Sequence, residues 1–388
     1  MIGGKQDFRM AVTSDLHLMA KTLYDDGPAF EHLIRSDDGK QTKDSTKLVR
    51  QMFLEVHQQR YDALLITGDL TYNGELASHE DLVERLKVVK NYGVPVYVLP
   101  GNHDIRRNAR SYLGNEIRQV PTVDEEAFAK LYEDFGYGQA VSRDVTSLSY
   151  MVKLREDIYL ICLDNCSRVS GFVQKYGEIR PDTMNWLERQ LRSIKGKSCI
   201  VAGHYNLCFH NSMFQQGFIM NNKDEVADLL NRYNVKLYLS GHMHMQHVSS
   251  NFGVKEIATS PPTTWPHQYG SLRISSDGDM KYETRQIIMA PKQRNEYHDF
   301  YRKNFMMQVF KDLGPRIELT DKEIEVMAEY AADLHLAYFS GNAYQILDEK
   351  KESQARKLWL TKASDCFYHR YMESILIEEK INHNLLLL

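Results

Sequence analysis

The sequence predicts an α/β domain over residues 1–290 and a small all-α domain over residues 291–388. Three observations lead there. Short apolar runs of strand length alternate with amphipathic helical patterns in the first part. After residue 290 those runs stop and helical patterns remain. The 388-residue chain also exceeds what one ordinary core organises, so two domains are expected.

The strand-like runs are Met10–Val12, Ala63–Ile66, Val94–Leu99, Ile158–Leu163, Cys199–Val201 and Val235–Leu239, all rich in aliphatic or β-branched residues. Helices are expected between them. Asp44–Arg60 repeats Leu48, Met52 and Val56 every four residues, and Asp224–Tyr233 carries Val226, Leu229 and Leu230. A helix near Ser78–Tyr92 is expected to open on Ser78 and Asp81, a capping box with Asp in place of Glu. The stretch Ile105–Arg143, with Tyr112, Phe128, Tyr132 and Phe135, reads either as a lid or as packing.

Beyond residue 290, Tyr297, Tyr301, Phe305, Val309 and Leu313 share one helical face, and Gly314-Pro315 stops it. Thr320 and Glu323 form a capping box ahead of Ile324, Met327, Ala331, Leu334 and Tyr338, with Gly341 at the end. Trp359, Ala363, Phe367, Tyr371 and Ile375 define a third stripe. Such stripes are core surfaces, expected to dock on the first domain. His298, His335, His369 and His383 occur singly there, as surface or core residues and not as metal ligands.

A net charge of −4 argues against general nucleic-acid binding, which needs many Lys and Arg on phosphates. No apolar run approaches the roughly 20 residues of a membrane span. The start Met1–Gln6 lacks a signal-like stretch, so the cytoplasm is the expected compartment, or the exterior had a leader been removed. Five cysteines suit free thiols, with Cys162 and Cys199 as small core residues.

The chemistry lies in where the polar residues fall. Five apolar runs end in Asp, Asn or His: Asp15-Leu16-His17, Gly68-Asp69, Gly101-Asn102-His103-Asp104, Gly203-His204 and Gly241-His242-Met243-His244. Ligand sites of open α/β sheets gather outside the carboxyl ends of strands, so these segments are expected at one sheet edge. A lone histidine there is ordinarily structural. So many gathered together are not, because buried polar groups cost stability unless paired or metal-bound.

This order of motifs resembles the calcineurin-like metallophosphoesterases, over roughly residues 9–248. The resemblance implies a β-sandwich of two mixed sheets flanked by helices. It also implies a dinuclear centre: Asp15, His17 and His244 on one ion, Asn102, His204 and His242 on the other, Asp69 bridging. Fe, Mn or Zn suits such donors. A metal-bridging hydroxide is the implied nucleophile, and His103 the implied acid or transition-state stabiliser, with Asp104 orienting its imidazole. Gly68–Glu75, Leu99–Ile105 and Glu256–Gly270 look like the branch holding class III cyclic-nucleotide phosphodiesterases with an added helical C-terminal domain. Tyr205 departs from it, since many relatives carry a second histidine there. Asp164 matches no family ligand and reads as structural or supporting, while Trp265–Tyr269 is either a substrate border or a turn.

The leading expectation is thus a metal-dependent phosphodiesterase on a small phosphate ester, with cyclic nucleotides as one candidate. Phosphomonoesterase, nucleotidase or pyrophosphate hydrolase activity is the alternative within the same chemistry, and a catalytically silent scaffold the alternative outside it.

Overall fold

The computed structural model describes residues 7–388 other than 37, 38, 170, 171, 315 and 317. The readings of Met1–Gln6 and of Pro315 lie outside the described residues. Two mixed sheets face each other. The first runs, in spatial order, Leu385–Leu387, Met280–Gln286, Gln268–Ile274, Phe8–Thr13, Ala63–Thr67 and Val96–Leu99. The second runs His247–Asn251, Val254–Ala258, Leu237–Ser240, Ser198–Ala202, Ile158–Cys162, Tyr150–Arg155 and Ser142–Arg143. Each is parallel at its functional centre: Phe8–Thr13 with Ala63–Thr67 and Val96–Leu99, and Leu237–Ser240 with Ser198–Ala202 and Ile158–Cys162.

Strand alternation sorts the side chains. Leu160, Cys162, Ile200, Ala202, Leu237 and Leu239 face the first sheet in the main core. Ile161, Val201 and Tyr238 point the other way, onto Trp186, Leu187, Leu229 and Leu230 of the outer helices Pro181–Ser193 and Lys223–Arg232. Helices Ser45–Gln58 and Leu76–Asn91 cover the first sheet through Val49, Met52, Val56, Leu82 and Leu86.

Several expectations need correction. The helix expected from Ser78 begins at Leu76 with Glu75 at its N-cap position, without a side-chain cap. Ser78 Oγ instead accepts the Ala20 N–H at 3.1 Å. The third C-terminal stripe is two helices, Gln354–Lys362 and Phe367–Leu376, with Leu347–Glu352 before them; Phe367 is exposed. The region is also not purely helical, because Leu385–Leu387 pairs antiparallel with Lys281–Glu283. An apolar tail too short for a membrane has the right length to cover a sheet edge.

The Thr320–Glu323 capping box is present, with both reciprocal hydrogen bonds. In the stretch Ile105–Arg143, Phe128, Tyr132 and Phe135 are buried in the main core. Tyr112 packs with Met19, Tyr24, Phe30 and Tyr72. These aromatics are packing, as one of the two readings has it. All five cysteines are free and buried. Among the described residues, no helix is long and apolar enough to cross a membrane.

The helices after residue 290 share a core with Met243 and Met245, the neighbours of His242 and His244. Gln246 N–H donates to Phe339 O at 2.9 Å, Tyr297 OH to Asp44 at 2.9 Å, and Asn211 Nδ2 to Ser374 at 3.0 Å. The apolar stripes are therefore spent on docking as well as on self-packing.

Candidate metal centre

The strand-end segments meet between the two sheets, not at the edge of one. Asp15, His17, Asp69 and Asn102 follow strands of the first sheet; His204, His242 and His244 follow strands of the second. The loops are zipped directly, with Asp15 N–H on Gly68 O at 2.9 Å and His17 N–H on Asp69 O at 3.0 Å. Two glycines permit this approach. A Cβ on Gly241 would stand 1.7 Å from Ser14 Oγ, and one on Gly101 2.1 Å from both Asp69 N and Oδ1.

Asp15, His17, Asp69, His242 and His244 all have φ between 40° and 69°. Non-glycine residues rarely adopt this region, and its strain persists where the surroundings over-determine the conformation, typically at functional sites.

Two groups of donors result. Asp15, His17, Asp69 and His244 bring ligand atoms within 4.8 Å of one another, and so do Asp69, His204 and His242. Asp69 belongs to both. Asn102 Oδ1 lies 2.9 Å from His204 Nε2, which adds the amide to the second group. Atoms bound at about 2.0–2.2 Å to one ion stand roughly 3–4 Å apart. The observed separations match: 3.4 Å for His204 Nε2–Asp69 Oδ2, 3.3 Å for His244 Nε2–Asp15 Oδ1 and 3.7 Å for His17 Nε2–Asp69 Oδ2.

Hydrogen bonds fix which nitrogens are free. His204 Nδ1–H donates to Thr67 O at 2.9 Å, leaving the Nε2 lone pair toward Asp69. His242 Nε2–H donates to Gly217 O at 2.8 Å, leaving Nδ1 toward His204, 3.2 Å away. Metal-binding histidines characteristically spend the second ring nitrogen this way.

Electrostatics agree. Burial opposes the Asp69 charge, but His204 and His103 outweigh it and hold the carboxyl well below its usual range. Burial likewise disfavours a charged His204, yet Asp69 and then Asp15 push it up to about 9. The buried carboxylates of Asp15 and Asp69 thus stay charged, while burial pulls His17 well below its usual value and His242 down to about 4, the neutral form that ligates a metal. The residues fit a dinuclear divalent centre. Asp15, His17, Asp69 and His204 are buried, whereas His103, His242 and His244 are half-buried and form an open side.

His103 faces this centre without joining either group. Its Nδ1–H is shared between Tyr72 O and Asn73 Oδ1, each at 2.9 Å, and its Nε2 lies 4.0 Å from Asp69 Oδ2. Asp104 does not orient that imidazole, contrary to the expectation. Its buried carboxylate accepts the backbone N–H groups of Gly101, Thr71 and Leu70 at 2.7, 2.9 and 3.1 Å, fixing the two loops instead. Burial, with the Asp69 charge added, raises its carboxyl to about 6.

Sequence reasoning missed two buried supports. Asn165 Oδ1 accepts the N–H groups of His204 and Tyr205 at 3.0 and 3.1 Å. Glu256 accepts Leu207 N–H at 3.0 Å and Ser240 Oγ–H at 2.5 Å, binding the loop after His204 to the strand before His242. The available signals were faint: Asn165 two residues past a strand-like run, and a Glu beside Lys255 in a short strand. Asp164 is an ion-pair residue, 2.8 Å from Arg168. Tyr205 packs on the His242 ring at 4.2 Å. Trp265 and His267 pack on His298 and Tyr297, as a structural turn does.

Of the C-terminal histidines, His335 and His369 are buried, and His298 is half-buried beside Trp265. His383 stacks on His247 at 3.7 Å, with Glu378 3.2 Å from His247 Nε2. His247, Glu378 and His383 also bring ligand-type atoms within 4.8 Å. However, His383 Nδ1 accepts the Val248 N–H at 3.1 Å, which leaves the proton of a neutral ring on Nε2. The trio is a hydrogen-bonded clamp between the last segment and the second sheet.

A family model described as calcineurin-like phosphoesterase matches residues 8–246. A second, described as the C-terminal domain of cyclic nucleotide phosphodiesterase, matches residues 294–382. The chain is 24% identical over 257 residues to the 3′,5′-cyclic adenosine monophosphate phosphodiesterase CpdA of Haemophilus influenzae, covering 62% of this chain and 81% of that one. It is 26% identical over 259 residues to a 3′,5′-cyclic-nucleotide phosphodiesterase of Nostoc sp., covering 64% and 81%. A dimetal phosphatase from Danio rerio superposes with a TM-score of 0.50 at 13% identity, covering 73% and 98%, a likeness of fold. The first model spans every converging donor from Asp15 to His244, and the chain belongs to the calcineurin-like phosphoesterase family.

Proposed function

We propose that this phosphodiesterase hydrolyses 3′,5′-cyclic nucleotides. The observation that carries the reading is the sharing of Asp69 by two donor groups, beside a histidine that belongs to neither. The names of the two relatives and the C-terminal family match support the substrate class.

Asp15, His17 and His244 would hold one ion and Asn102, His204 and His242 the other, with Asp69 common to both donor groups; Mn, Fe or Zn would suit these donors. When bound, two divalent cations supply charge for the phosphoryl oxygens and acidify a water. His103 Nε2 is the atom that moves a proton, since Nδ1–H is committed to Tyr72 and Asn73. Asp104 is a positioning residue that holds the Gly101–His103 turn. Residues 1–290 form the catalytic unit, and 291–388 a helical unit returning its last strand to it.

The test is turnover of cyclic nucleotides, 5′-nucleotides, a chromogenic diester and a chromogenic monoester with added manganese. Cyclic nucleotides are expected to have the highest kcat/KM. Preference for monoesters would place the enzyme among phosphomonoesterases or nucleotidases instead.

A further inference from the structure

A cavity of ≈ 370 Å³ opens directly beside the metal centre, with His242 and His244 in its wall. The C-terminal helices also line it: Tyr301, Asn304, Phe305 and Gln308 from one, His335 and Phe339 from the next. Phe214 and Phe218, from the loop after His204, add to the lining.

Its rings form a layered surface. Phe305 stacks on His335 at 3.9 Å and 8°, and Phe339 lies against His335 at 4.2 Å. Phe218 stands 5.5 Å from the His242 ring, so the aromatic lining continues to a metal-ligand side chain. Two amides interrupt it. Asn304 and Gln308 lie one helical turn apart, on the face that also carries Tyr301 and Phe305. Small-ligand pockets are of this type, mostly apolar with a few polar groups that set orientation, in a size range beginning near about 300 Å³.

We propose that this cavity is the subsite for the nucleobase, so that the C-terminal helical region reads the aromatic part of the ester. A base is flat, stacks on aromatic side chains whatever its identity, and presents donors and acceptors only at its edge. Phe218 and Phe339 supply the faces, and Asn304 and Gln308 can both donate to and accept from that edge. A diester without an aromatic group leaves these surfaces unused. This inference rests on the phosphoester reading of the centre and deepens it, since it gives the helices of residues 291–388 a part in recognising the ester.

The experiment compares AMP with ribose 5-phosphate, which differ by the base, in calorimetric titrations of the metal-loaded full-length protein. AMP is expected to bind at least about tenfold tighter, the scale of one stacked base. That contrast should fall to about twofold in Phe339→Ala, and to a lesser extent in Asn304→Leu. Asn304 is half-buried, so its substitution stays informative should the first variant fold poorly. Equal or undetectable binding of the two ligands by the parent protein overturns the proposal. So does a contrast that survives both substitutions. Absent turnover of cyclic nucleotides with the contrast intact removes the substrate assignment alone; turnover without the contrast removes the subsite alone.

Discussion

Gly101 lies against Asp69 so closely that a Cβ would stand 2.1 Å from the Asp69 carboxylate oxygen shared by neither imidazole. That oxygen, Oδ1, accepts the His103 N–H at 2.7 Å, while Oδ2 faces His17 and His204. Gly101→Ala must therefore displace the carboxylate common to both donor groups. The parent protein is expected to hold two metal equivalents, roughly 3.5–4 Å apart, as in other two-metal hydrolases. Gly101→Ala should hold fewer than two, read by elemental analysis of protein purified without chelator. Two equivalents in the variant would show that Asp69 is not the shared ligand.

His103→Ala should separate binding from catalysis. The side chain belongs to neither donor group, yet its Nε2 faces the centre. Metal content is expected to stay at the parent value while turnover falls about 10²–10⁴-fold, the usual contribution of a positioned acid or base. A variant with full metal content and near-parent rates would exclude His103 from the chemistry.

Asp104→Asn should damage the scaffold as well as the rate. The carboxylate accepts three backbone N–H groups and the Thr71 hydroxyl, and an amide nitrogen turned toward any of them meets a donor with a donor. A loss on the order of 3 kcal/mol is expected, as for buried bonds to a charged group. Denaturant unfolding of this variant beside His103→Ala distinguishes the two roles. Stability should drop in Asp104→Asn and hold in His103→Ala.

The contrast between these residues also marks what was legible in the sequence. Asp15, Asp69 and His242 announce themselves through a local signature, a polar residue where an apolar run ends. Their allocation to two sheets is a matter of long-range pairing, so one shared edge was expected and two facing ones are found. Glu256 was missed because a single acidic residue in a strand looks like ordinary solvent-facing alternation; only the three-dimensional fold turns it inward. Ser78 illustrates the same limit from the other side. Its hydroxyl carries every local mark of a helix cap, but is committed to Ala20, 58 residues away. The cavity beside His242 joins Phe218, Phe305 and Phe339 from distant segments, and no spacing rule brings those three together.

His335 makes the fold sensitive to acid. Burial alone pulls this imidazole down to about 3. Its neighbours are Tyr371 OH at 2.9 Å from Nδ1, Tyr301 OH at 3.3 Å from Nε2, and the stacked Phe305 ring, none of them an anion. In the unfolded chain a histidine titrates near about 6.5. Between those values the unfolded state binds a proton that the folded state refuses. The folded state is therefore favoured in full above pH 6.5, and the advantage is lost as pH falls toward 3. The slope is about 1.4 kcal/mol per pH unit for one such group. From pH 7 to pH 5 the parent protein should lose about 2 kcal/mol more than His335→Gln, which has nothing to titrate at that position. The difference between the two proteins cancels every other group that titrates in the interval, including Glu75, whose carboxyl burial raises to about 7. Denaturant titrations at the two pH values measure it directly. Equal losses in parent and variant would mean that His335 is open to protonation in the folded protein, and that the aromatic wall it supports is looser than the 3.9 Å stack implies.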